Sequence, residues 1–304
     1  MKKLCAYASV LLMIAACAVD RNDGYDREVA LAFHPAMHMH VKSDAPESYP
    51  QDQTFGVTVW SLPEEEGWAA GADDGDIYME SECPAPQEGT LWLPAADMVW
   101  PASGNRLTAI GYSPSDAFGG CSASDGVTLT GFDVLEDQTD LLYTDPQADM
   151  DKIECGGVVP MPFRHALAQV SFRVKNRVAA DEAIIVRSIR IDDAAHKGNF
   201  SSLALPQWTP SGEGTAFAFF EGEHETGPLP EEIGRVWKMI PQTLATNVTV
   251  EYEYRTAAGT GFSATLKTCP LQTALEPGRH YTYTLSVGID DVKFLQEIIE
   301  HRFR

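Results

Sequence analysis

Ala168, Val170, Phe172 and Val174 alternate with Gln169, Ser171, Arg173 and Lys175. The same rhythm returns twice. Val248, Val250, Tyr252 and Tyr254 interleave with Asn247, Thr249, Glu251 and Glu253, and Tyr281, Tyr283, Leu285, Val287 and Ile289 with Thr282, Thr284, Ser286 and Gly288. Side chains of an extended chain point alternately to opposite faces, so a period of two gives strands with one apolar and one wet face. Two such sheets, stacked, bury their apolar rows against each other. Shorter strand-like runs fill the first half: Val29 to Phe33, Phe55 to Val59, Leu91 to Leu93, Leu107 to Tyr112 and Val127 to Leu135. Ile184 to Ile191 and Ala216 to Phe220 add two more in the second. Turn-forming clusters such as PEEEG and GYSPSDAFGG separate them, so the sequence predicts an all-β sandwich or barrel. Only Leu295, Ile299 and Phe303 repeat at a helical spacing, which predicts a short C-terminal helix over Val292–Phe303. Pro160 and Pro162 interrupt regular structure and place a seam near residue 160. Two domains result, 28–160 and 161–304, each of ordinary size.

The N-terminus carries its own address. Lys2 and Lys3 precede an apolar stretch from Leu4 to Ala16, the layout of a secretory signal over residues 1–16. It closes on Ile14-Ala15-Ala16-Cys17, which resembles a bacterial lipobox. Cleavage would follow Ala16 and a diacylglycerol would be carried on Cys17, with residues 17–27 as the lipidated tether. The alternative is an ordinary signal peptide with a chance cysteine. A lipid attaches a chain to a membrane without spanning it, which fits an outer-membrane lipoprotein. The formal net charge is -22, from 44 acidic and 22 basic side chains. Such a chain repels nucleic acid, so no nucleic-acid partner is expected. Cys83, Cys121, Cys155 and Cys269 allow three pairings outside the cytosol, among them Cys83–Cys121 with Cys155–Cys269; unpaired thiols are equally open.

The sequence gives little to chemistry. No nucleophile elbow, phosphate loop or His-Glu-x-x-His is present. His34, His38 and His40 form a cluster that could hold zinc or copper, though an exposed loop explains it as well. Asp73-Asp74-Gly75-Asp76 lacks the ligand spacing of a calcium loop and reads as an acidic turn. We therefore expect no catalytic residues, no metal and no cofactor, and a chain that is not an enzyme. His165 reads as a hydrogen-bonded structural histidine. Trp60, Trp92, Trp100, Trp208 and Trp237 read as core aromatics rather than a glycan platform.

Several phrases occur in a telling order. Val99-Trp100-Pro101 precedes Leu107 to Pro114 (LTAIGYSP), then Thr139 to Tyr143 (TDLLY), then Phe163 to Val174 (FRHALAQVSFRV). Ile240-Pro241-Gln242 and Pro277 to Leu285 (PGRHYTYTL) follow. Spread over residues 55–290 behind a lipobox, the series resembles the fimbrillin family of Mfa-like lipoproteins, the type V pilins. The resemblance implies two tandem transthyretin-like β-sandwich domains. It also implies a cell-surface subunit of fimbriae that supports adhesion, with other fimbrial subunits and host or bacterial surface ligands as partners. Assembly in that family follows excision of an N-terminal segment by an Arg-specific protease and exchange of a donor strand. Arg21 and Arg27 are the candidate maturation sites, being the only arginines before the first strand. Cleavage at either would leave Val29 to Phe33 in place, and a later cut would require Lys42. A monomeric lipid-anchored adhesin or glycan-binding lipoprotein is the alternative.

Overall fold

The computed structural model describes residues 28–37, 49–50, 52–68, 72–73, 76–87, 90–101, 104–256, 258, 264–295 and 299–302. Strand dominates them. The first half supplies β1 (Ala32–Met37), β2 (Gly56–Leu62), β3 (Ile77–Glu82), β4 (Ala85–Pro86), β5 (Trp92–Leu93) and β6 (Arg106–Ser113). It continues with β7 (Gly120–Ser122), β8 (Gly126–Asp133), β9 (Leu142–Tyr143), β10 (Gln147–Met150) and β11 (Val158–His165). The second half supplies β12 (Ala168–Asn176), β13 (Ala183–Ala194), β14 (Lys197–Ser201), β15 (Trp208–Ser211), β16 (Thr215–Glu225) and β17 (Glu231–Met239). After these come β18 (Thr243–Arg255), β19 (Thr265–Ala274), β20 (Arg279–Val287), β21 (Val292–Phe294) and β22 (Ile299–Arg302).

The alternating segments become the sandwich they predict. In one sheet the order is β17-β12-β20-β21, with β22 also on β20; in the other it is β16-β13-β18-β19. Ala168, Val170, Phe172 and Val174 are at most 1% exposed, all on the inward face of β12. Phe172 meets Phe219 of the opposite sheet edge-on, with ring centroids 4.7 Å apart. The first half builds a separate core from a sheet ordered β3-β2-β6-β9-β11-β1-β5-β4, with β10 on β6. Phe33, Phe55, Trp92, Trp100, Met161 and Phe163 are among its buried members.

A fourth sheet, β15-β14-β8-β7, joins the halves. β8 comes from the first half and β14 from the second, and they pair antiparallel from Thr128↔Ser201 to Asp133↔Lys197. Phe132, Val134, Leu141 and Tyr143 accordingly pack into the second core. Asp133 accepts from the His196 ring at 2.9 Å and from Lys197 at 3.2 Å. Burial alone would raise its pKa; those hydrogen bonds and the Leu135 amide outweigh it and hold the carboxyl below its usual range.

Two expectations change, and between paired and unpaired cysteines the structure has the unpaired form. Val292–Phe303 is not a helix in its described residues: β21 and β22 both lie along β20. The open N–H and C=O edge of β20 offers partners that outweigh a weak local helical stripe. Pro160 and Pro162 do not break the chain; both sit inside β11, opposite His34 and Ala36 of β1. Spaced by two, they present their missing N–H to the same edge, and β9 pairs with β11 only at Arg164 and His165. No disulfide joins the four cysteines: Cys83 is exposed, Cys121 and Cys155 are half-buried, and Cys269 is buried. Cys155 packs on the first core and Cys269 lies within the second, so that pairing has no contact to form. Burial pushes the Cys269 thiol up to about 11.

Candidate functional site

Two segments near the chain ends complete sheets that the intervening chain builds. The first is β1. It runs parallel to β11 from Ala32↔Val158 to Met37↔Phe163. On its other side Phe33 pairs with Trp92 of β5, and Ala30 bridges Val99. Leu31 donates to the Met98 carbonyl at 2.9 Å, and Trp100 to that of Val29 at 2.8 Å. β1 thus has partners on both edges as far as Phe33 and pairs with β11 along its whole length. Its alternation sends Leu31 and Phe33 inward, at 1% and 0% exposure. Phe33 sits edge-on to Phe55 at 6.4 Å, and Phe55 lies 5.1 Å from Trp92 and 5.4 Å from Phe163. Burying these two side chains stabilises the fold by about 1.5–3 kcal/mol each.

The seat of β1 is shaped by backbone as well. Gly157 takes φ +83°, and a Cβ there would lie 2.5 Å from Val29 Cγ1. The Trp100 indole donates to the Gly157 carbonyl at 2.9 Å. Beyond β1 the chain re-enters the same core at Tyr49. Its hydroxyl donates to the Thr54 carbonyl at 3.1 Å and lies 2.6 Å from Ser113 Oγ. Burial pushes the phenol up to about 12, against the opposing Ser113 hydrogen bond. A chain cut between Met37 and Tyr49 would therefore leave β1 held by noncovalent contacts alone.

The second segment is β21 with β22. β21 pairs with Leu285 to Val287, β22 with Arg279 to Thr282. Leu295 donates to the Thr284 carbonyl at 2.9 Å between them. Both pieces lie on the edge of β20 away from β12. Val292 is buried, and Phe294 packs 5.7 Å from Tyr283.

The residues singled out from sequence fare unevenly. Ala16, Cys17, Arg21 and Arg27 lie outside the described residues, as do Lys42, His38 and His40. His34 is half-buried on β1. Among the described residues no group of three or more His, Cys, Asp or Glu could hold a metal. Trp60, Trp92, Trp100, Trp208 and Trp237 are all buried, at 7% exposure or less. Sequence reasoning missed the parallel pairing of β1 with β11. The inward run Val159, Met161, Phe163 was its signal, hidden by the intervening prolines.

With this geometry in view, the comparisons are decisive on kinship. The fimbrillin-like family profile matches residues 50–299. The chain belongs to the fimbrillin-like family. A fimbrial protein from Bacteroides vulgatus is similar in fold, with 14% identity, TM-score 0.66, and coverage of 91% of this chain and 100% of that one. A candidate cell adhesion protein from Bacteroides uniformis has 15% identity and TM-score 0.55, covering 91% of this chain and 99% of its own. No curated protein matches by sequence. Two of the fimbrillin-like phrases acquire structural roles. His165 pairs through Nδ1 with Asp140 at 3.0 Å. Gln242 clamps Ala195, accepting from its amide at 2.8 Å and donating to its carbonyl at 2.9 Å.

Proposed function

We propose that this fimbrillin-like chain is a non-enzymatic cell-surface lipoprotein. In this reading it is anchored to the outer membrane through Cys17 after cleavage at Ala16. It serves as a structural or accessory subunit of fimbriae and supports adhesion to host or bacterial surfaces. Its two sandwich domains divide near residue 160. The observation that carries the assembly reading is the seat of β1. Losing β1 would open a groove between β11 and β5, floored by Phe55, Trp92 and Phe163. Unpaired backbone above an apolar floor is what an incoming strand fills by β-augmentation. The interrupted edge strand on β20 is the matching donor, since it leaves its own sheet at small loss. Donor and groove are different surfaces, so the contact is heterologous and propagates head to tail.

The basic residues set this chain's place in such a row. Arg21 and Arg27 precede β1, and Lys42 is the sole lysine or arginine between Met37 and Tyr49. Arg-specific trimming therefore leaves β1 seated and the groove closed. The chain then donates a strand but accepts none, which is a terminal, accessory position. The buried tryptophans leave little support for a glycan-stacking adhesin.

The test uses residues 18–304 treated with an Arg-specific protease, with the new N-terminus mapped by mass and multimers read on unheated SDS gels. We expect Asn22 or Glu28 as the new N-terminus and monomer only. Lys42→Arg should be cut after position 42, release the β1 peptide on denaturation, and then form multimers. A wild-type multimer ladder would overturn the terminal position. A cleaved K42R chain that neither multimerises nor rebinds a peptide of residues 28–37 would overturn strand exchange itself.

A further inference from the structure

β17 does not run straight past β12. Val170 pairs with Trp237 and Phe172 with Ile233, so Gly234, Arg235 and Val236 all stand opposite Ser171 alone. Bulges of this kind re-aim side chains. This one is fixed from behind. Gly234 takes φ +74°, and a Cβ there would lie 2.1 Å from the Phe219 carbonyl oxygen. The Trp237 indole donates to the Ala218 carbonyl at 2.8 Å. Arg235 is thereby held with its guanidinium carbon 4.6 Å from the centre of the Trp237 ring.

Across from the bulge lies a chain of polar groups. Ser171 Oγ is 2.8 Å from His280 Nε2 and 3.0 Å from Thr282 Oγ1. When His280 carries its proton on Nε2, it donates to Ser171, Ser171 donates to Thr282, and the Thr282 hydroxyl proton is left for another acceptor. Arg173 stands beside Ser171 on the same face. Its Nε is shielded from solvent and has no hydrogen-bond partner among the described residues. Its one ion pair among the described residues, to Glu232 at 3.7 Å, involves a carboxylate 83% exposed, a contact worth little. These groups line a notch of about 110 Å³.

We propose that this notch receives a single carboxylate group, held by the Arg173 and Arg235 guanidiniums over the Ser171–His280–Thr282 floor. Three observations carry the proposal. Two arginines, Arg173 and Arg235, line one notch of a chain whose net charge is -22. Their planar donor forks match the two oxygens of a carboxylate. The notch, of about 110 Å³, has room for a carboxylate and its carbon stem. This inference does not depend on the assembly reading. The carboxylate could belong to a small acid or to an Asp or Glu of a second copy, and the experiment separates them.

Residues 18–304 are titrated with sodium acetate at constant ionic strength while the His280 ring resonances are followed by NMR. His280→Asn assigns them. A saturable shift that sodium chloride does not produce is the expected result. Arg173→Gln and Arg235→Gln should each weaken acetate at least about tenfold. An unchanged near-UV spectrum shows that the fold is kept, and Arg235→Lys, which keeps the charge, should lose less. Sedimentation at rising concentration gives the source: self-association that acetate reverses identifies the second copy, and a monomer throughout identifies a small acid. No saturable shift, or one that neither glutamine variant alters, would overturn the proposal.

Discussion

β1 and the C-terminal segment both add a strand to an existing sheet, yet they are held in opposite ways. β1 lies between two partners, carries Phe33 at 0% exposure, and meets an aromatic floor. The C-terminal segment has one partner, β20, and pairs with it in two separate pieces. The lesson is that position in the sheet, more than strand propensity, sets how readily a strand is exchanged. An edge strand gives up one ladder of hydrogen bonds, while an internal strand gives up two and opens a core.

The largest predicted effect tests that contrast directly. Phe33→Ala should cost about 3–5 kcal/mol, read as a lower urea midpoint. Phe294→Ala should cost distinctly less, and equal losses would break the comparison. Next, truncation after Gly288 should cost about 2–3 kcal/mol through the lost burial of Val292 and Phe294. Hydrogen exchange should then speed up along β20 and stay slow in β1. Third, Gly157→Ala should cost about 1–2 kcal/mol, because a side chain is forced into the left-handed region against Val29. Its exchange signature should appear in β1 and spare β20. The smallest effect is acid sensitivity at Asp133, which lies in neither terminal strand. Its folded pKa is depressed below 3.8, so its stabilisation is complete above that value and drains as pH falls through the lower folded one. Asp133→Asn should flatten that part of the acid unfolding curve and leave the β1 response to Phe33→Ala unaltered.

Much of the fold is written locally. β12, β18 and β20 follow the period-two rhythm, and their apolar parity is the buried one. What local reading misses is set by partners remote in sequence. β1 finds β11 across more than a hundred residues, and no periodicity announces a parallel neighbour. The stripe of Leu295, Ile299 and Phe303 has a helical spacing, yet Ile299 lies in β22, paired with Thr282 of β20. The notch is hidden for a similar reason. Val236 looks like the start of a strand, whereas β17 begins at Glu231 and swells at Gly234. Its φ of +74° and the proximity of the Phe219 carbonyl explain why that glycine is needed.

The sheet that β8 and β14 share also has a mechanical meaning. Were the chain pulled at its two ends, the load would cross from one core to the other. Besides the covalent backbone, the crossing runs through the ladder from Thr128↔Ser201 to Asp133↔Lys197. That ladder, the Gln138–Lys238 hydrogen bonds and the seating of Phe132 and Val134 in the second core all resist drawing the two cores apart. The stitch ties the halves by more than the backbone that runs from β11 into β12.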